Sequence, residues 1–167
     1  MSISRISRSN PSLLRGLLAG ALVLWPLIGM AHSDGPFSKF LGNWRGSGQV
    51  LGTNGHREPI RCRAGYSLSQ SGEALSQTLV CASDSYRVDI SSHVVAEGHR
   101  VQGHWREATR QVEGDLTGQV AEGQFEGSVV GPGFTAQVSL RSTGRKQVVN
   151  IRPHGGDVAD VEVVLSR

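Results

Sequence analysis

From Gly42 onward the chain alternates. Apolar and polar side chains change places at every second residue over short runs, and each run stops at a glycine-bearing turn. Side chains on a strand point to opposite faces in turn, so a period of two marks strands with one covered face. The turn signals are Thr53-Asn54-Gly55, Gln70-Ser71-Gly72, Glu97-Gly98, Glu122-Gly123, Gly131-Pro132-Gly133, Thr143-Gly144 and His154-Gly155-Gly156-Asp157. They predict strands over 42–51, 57–67, 74–82, 86–95, 99–107, 111–120, 124–130, 134–141, 145–152 and 158–166. No long helical period follows residue 41, although Pro36–Phe40 suits a short helical turn. The first strand reads Gly42-x-Trp44-x-Gly46-x-Gly48 and sets Trp44, Gly46, Gly48 and Val50 on one face. Interior glycines there mark a bend or the close approach of another group.

Hairpin pairing tests the strand map. A turn centred on Glu97-Gly98 opposes Val94 to Val101, Ser92 to Gly103 and Ile90 to Trp105. One centred on Glu122-Gly123 opposes Val120 to Phe125, Gly118 to Gly127 and Leu116 to Val129. One centred on Thr143-Gly144 opposes Val138 to Val149 and Ala136 to Ile151. Apolar faces meet in all three, which is how register is specified. The first hairpin is the exception. A two-residue turn at Asn54-Gly55 sets Trp44 opposite Gly65, with Arg61 and Arg63 on its face and Cys62, Ala64 and Tyr66 behind. A longer loop or a bulge is expected there, because it shifts the parity by one. The fold class predicted is all-β: an antiparallel up-and-down meander, closed or nearly closed into a barrel of eight to ten strands.

Residues 1–31 read as an export signal. Arg5, Arg8 and Arg15 charge its front, Leu17 to Met30 is apolar, and Gly29 and Ala31 suit a cleavage before His32. The apolar run is shorter than the roughly 20 residues that span a membrane. The domain expected is therefore 32–167, periplasmic or secreted, with no membrane span. Removing the leader also changes the charge. The whole chain carries +3, but three of the basic residues and none of the acids lie in the leader. The remainder is neutral, which removes the case for a nucleic-acid partner.

Few residues announce chemistry. Cys62 and Cys81 are placed to face each other across the hairpin centred on Ser71-Gly72, and an oxidising compartment favours a disulfide. A strict two-residue turn would make them a hydrogen-bonded pair. The six histidines form no metal pattern. Glu107 shares a face with Trp105 near a strand end, where a carboxylate either binds a ligand amine or acts as a base, or else sits in water at the barrel rim. The apolar face is short of volume. Gly46, Gly48, Gly103, Gly114, Gly118 and Gly127 fall on it, and they either leave a cavity or let two walls touch. The ligand-facing set expected is Trp44, Gly46, Gly48, Tyr66, Tyr86, Ile90, Trp105, Glu107 and Phe125, with no catalytic or metal residues and no cofactor.

Gly42-x-Trp44 after a short helical turn, followed by a meander, resembles the start of the calycins, the lipocalins and fatty-acid-binding proteins. The fuller Gly42-x-Trp44-x-Gly46-x-Gly48 is similar to the nitrobindins, ten-stranded barrels that hold haem. That resemblance implies a His near the last strand. Residues 158–165 contain none, and His154 is the nearest. The chain also resembles small exported proteins of unassigned function common in proteobacteria. The resemblance, together with the missing volume of the inner face, implies a binding module for a small apolar or amphipathic molecule; an enzyme is not expected, since no convergent nucleophile, base or metal set can be read. The alternative is a structural envelope protein with a filled barrel.

Overall fold

The computed structural model describes residues 35–167. The expected signal 1–31 and its cleavage site lie outside the described residues. A 3-10 turn, Ser38–Phe40, leads into ten strands: β1 Gly42–Gly52, β2 Arg57–Leu68, β3 Ala74–Ala82, β4 Arg87–Glu97, β5 Arg100–Glu107, β6 Val112–Ala121, β7 Gln124–Gly131, β8 Phe134–Thr143, β9 Lys146–His154 and β10 Val158–Ser166. Each strand pairs antiparallel with the next, and β1 also pairs with β10, so the meander closes into a barrel. Every strand end lies within two residues of its expected place. Among the described residues no helix is long and apolar enough to cross a membrane.

The registers confirm the faces and correct two offsets. In β6–β7 the pairs are as expected, with Gly118 opposite Gly127 and Val120 opposite Phe125. In β4–β5 the pairing slides by two, so Val94 meets Gly103, Ser92 meets Trp105 and Ile90 meets Glu107. In β8–β9 it also slides by two, and Val138 meets Ile151. The reason is turn type. Gly98 and Gly144 hold positive φ (63° and 58°) as the first of two loop residues, the place a type II′ turn reserves for glycine. At β6–β7 both Glu122 and Gly123 have positive φ, as in type I′.

The first hairpin shifts parity as expected. The Gly52 amide donates to the His56 carbonyl (2.8 Å), closing a three-residue loop. Trp44 then faces Ala64, and Cys62, Ala64 and Tyr66 join its face. Cys62 and Cys81 are directly opposed and bridged, with Cα atoms 4.1 Å apart. The hairpin between them closes on Ser69 and Ala74 with a longer loop. The bridge therefore sits at the close spacing of a non-hydrogen-bonded pair, not at the hydrogen-bonded pair that a strict two-residue turn requires.

One end of the barrel is stoppered. Phe37 and Phe40 lie across it with ring centroids 6.3 Å apart, and Phe40 lies 6.4 Å from the Tyr66 ring. Trp44 is wholly buried beneath them, and its indole N–H donates to the Phe40 carbonyl (2.8 Å). The Arg167 guanidinium stacks 4.6 Å from the Trp44 ring centroid and donates to the carbonyls of Leu41 (2.7 Å) and Gly144 (3.1 Å). Strand ends, turn and ring are thus tied into one lid.

Candidate functional site

Above this stopper the barrel is hollow. A cavity of about 290 Å³ runs toward the opposite end, where the loops 53–56, 83–86, 108–111, 132–133 and 155–157 gather. Its wall comes from the inward positions of every strand, which alternation makes apolar. Leu79, Ile90, Val129, Val138 and Ile151 form its sides. Trp105 and Phe134 pack near the mouth, centroids 5.7 Å apart, and the Trp105 N–H donates to the Val130 carbonyl (3.2 Å). Among the described residues no Asp, Glu, Lys, Arg or His lines the cavity. Its polar atoms are those of Tyr66, Gln77, Tyr86 and Ser92.

The expected ligand-facing residues divide. Tyr66, Tyr86, Ile90, Trp105 and Phe125 line the hollow together. Trp44 lies in the stopper. Gly46 and Gly48 do not make ligand space, because a Cβ at either would collide with a β10 carbonyl, of Val164 or Glu162. They let β1 and β10 draw close at the seam that closes the barrel. Gly118 and Gly127 likewise meet neighbouring backbone and the Phe125 ring. The hollow thus comes from barrel size and side-chain choice, with the glycines serving strand curvature.

Glu107 lies at the rim, but neither in water nor facing a ligand. It is buried, and its Oε1 accepts from the amides of Asp89 (3.0 Å) and Thr109 (2.9 Å), while Oε2 accepts from the Arg110 amide (2.7 Å). Burial works to raise its pKa. The hydrogen bonds from Thr109, Asp89 and Arg110 outweigh that and hold it at about 2. Such a carboxylate is a clasp for the 108–111 loop, not a base. Glu58 is the matching clasp that sequence reasoning missed. Its Oε1 accepts from the Ser85 amide (2.7 Å), and hydrogen bonds from Ser83 and Ser85 keep it below the ordinary value.

The other residues missed are Gln77 and Ser92. Ser92 Oγ donates to Gln77 Oε1 (2.9 Å) at the floor of the hollow. A polar residue at an apolar-face position, between Leu75 and Leu79 or between Ile90 and Val94, was the available signal. Deeper still, the Tyr66 hydroxyl donates to Gln147 Oε1 (3.0 Å), and Gln147 Nε2 donates to Ser142 Oγ (2.9 Å). Burial pushes the Tyr66 phenol well above its usual pKa.

The histidines among the described residues stay outside the hollow. His93 and His104 are opposed on the outer face, with Ser76 on His93 Nδ1 (3.1 Å) and Asp115 on His104 Nδ1 (2.8 Å). His154 is exposed at the end of β9. Haem ligation of the nitrobindin kind does not fit, because among the described residues no imidazole lines the hollow. Among the described residues no three His, Cys, Asp or Glu side chains are grouped to hold a metal.

No protein-family profile matches the chain, and no curated protein sequence is similar to it. Solved structures do share its fold. The S-type phycobiliprotein lyase CPES from Guillardia theta superposes with a TM-score of 0.54 at 14% identity, over 78% of this chain and 89% of that one. Rv2717c from M. tuberculosis superposes with a TM-score of 0.60 at 14% identity, over 78% of this chain and 94% of that one. The fold is calycin-like. At this identity the likeness is one of fold, yet it corrects the expectation of a non-enzyme. A barrel of this fold bears the name of a lyase, so the lack of a legible nucleophile, base or metal set does not mark the chain as non-catalytic.

Proposed function

We propose that this protein is an exported barrel whose hollow binds a small apolar or amphipathic molecule. One observation carries the reading: a 290 Å³ cavity lined by apolar and a few neutral polar side chains, with one end stoppered and all formal charge kept outside. Pockets of this make-up, mostly apolar with a few placed polar groups, are the usual form of small-molecule sites. A filled structural barrel has no use for such a hollow. Export is part of the proposal. It is supported by the leader-like composition of 1–31 and by the Cys62–Cys81 bridge, which suits an oxidising compartment. In this reading one barrel domain spans 32–167.

The test is native mass spectrometry of the protein purified without detergent from the envelope of its own cells. A retained adduct of defined mass, released on denaturation, is the expected result. A clean mass of the bare chain from freshly isolated protein counts against binding.

A further inference from the structure

The floor of the hollow narrows the class of ligand. Tyr66, Gln77, Ser92 and Trp105 stand side by side on four successive strands, each opposed to the next. Two of the four have used their donors elsewhere: the Tyr66 hydroxyl on Gln147, and the Trp105 indole on Val130. Ser92 has spent its hydroxyl hydrogen on Gln77 Oε1, but the Gln77 amide nitrogen has not spent its own. An amide and a hydroxyl bring three polar hydrogens between them. Their mutual bond, 2.9 Å long, uses one. The two that remain are on the Gln77 amide nitrogen, and Gln77 lines the cavity.

We propose, resting on the binding role above, that the hollow takes an uncharged molecule with one carbonyl-type acceptor. A ketone, ester or amide oxygen would accept from the Gln77 amide nitrogen, which Ser92 holds in place through Gln77 Oε1, with the apolar body running toward Trp105 and Phe134. A carbonyl oxygen accepts without needing to donate, which is what a spare amide N–H requires. Charge is excluded from both sides. A carboxylate would be buried without a cation, since no Lys, Arg or His lines the cavity. An ammonium would find no carboxylate, because Glu58 and Glu107 are spent on the rim loops. The volume suits a body on the order of ten to twenty non-hydrogen atoms.

The experiment uses N-phenyl-1-naphthylamine as a fluorescent reporter and displaces it at pH 8 with 2-undecanone or with undecanoate, two chains of equal length. The ketone should compete at least about tenfold better than the carboxylate. In Gln77→Met, a near-isosteric change, its affinity relative to the reporter should fall about tenfold, the loss of one neutral hydrogen bond. Ser92→Ala is the second variant, with a loss in the same direction. If the reporter binds but undecanoate competes as well as the ketone, the proposal is overturned and the binding role stands. The same holds if both variants leave the ketone ratio unchanged. If the reporter does not bind the wild-type protein, the binding role itself falls and the proposal falls with it.

Discussion

The two ends of the barrel use the same alternating strands to opposite effect. At the stoppered end, inward positions hold Trp44, Val101, Val120, Gln147 and Leu165, all at most 1% exposed. The buried donors of Trp44, Tyr66 and Gln147 are answered there by the Phe40 carbonyl, the Gln147 amide oxygen and the Ser142 hydroxyl. At the other end the inward positions hold Val, Ile and Leu around a cavity, and the aromatic rings stand at the mouth. The wall is continuous, so the difference comes from what fills it. One end is closely packed, and the other is left hollow.

Truncation at the two ends should separate these roles most sharply. Trp44→Ala removes a wholly buried ring, its bond to Phe40 and the Arg167 stack. It should cost about 3–5 kcal/mol. Val138→Ala widens a wall that already borders empty space, and about 1 kcal/mol is expected from the lost area. Urea denaturation of both variants checks the contrast. Equal losses would mean that the open half is packed as tightly as the stopper.

The next largest effect belongs to the bridge. Cys62–Cys81 closes a loop of sequence separation 19, for which the chain-entropy argument gives about 3 kcal/mol. Because Cys81 lines the hollow, replacing both cysteines by alanine should lower the melting temperature and weaken ligand retention together. Thiol titration of unreduced, denatured protein should find no free thiols, and two would refute the bridge.

A smaller effect sharpens the view of the rim. Glu107 has a folded pKa of about 2 against an ordinary 4.5. A depressed carboxylate stabilises the fold above its unfolded pKa, and that stabilisation is lost as pH falls through the folded value. Stability should therefore decline between pH 5 and 2, by on the order of 2 kcal/mol from this group. Glu107→Gln should flatten that decline. A slope unchanged in the variant would assign the acid sensitivity elsewhere.

How far these two ends were legible in the sequence follows from the symmetry of a strand. Faces were readable, because alternation is local: Trp44, Tyr66, Trp105 and Phe125 all point inward. Register was readable only up to a slide of two, which leaves every face unchanged. Only the turn type at Gly98 and Gly144 chose between the alternatives. Depth along the barrel was not readable. Trp44 shares a face with Val50, yet it lies in the stopper while Val50 lines the hollow. Gly46 and Gly48 misled for the same reason, since a missing side chain looks like space until the neighbouring strand is seen to occupy it. Glu107 misled because its partners are backbone amides of a loop, which no side-chain spacing announces.

The central claim is that the open half is a binding cavity, and a reporter titration against a filled variant tests it most directly. Wild-type protein and Val138→Trp, which puts an indole into the hollow, would each be titrated with N-phenyl-1-naphthylamine, with circular dichroism confirming that both are folded. The account predicts saturable, one-to-one, blue-shifted fluorescence for the wild type and its loss in the variant. Equal binding by the folded, filled variant, or no saturable binding by the wild type, would contradict it.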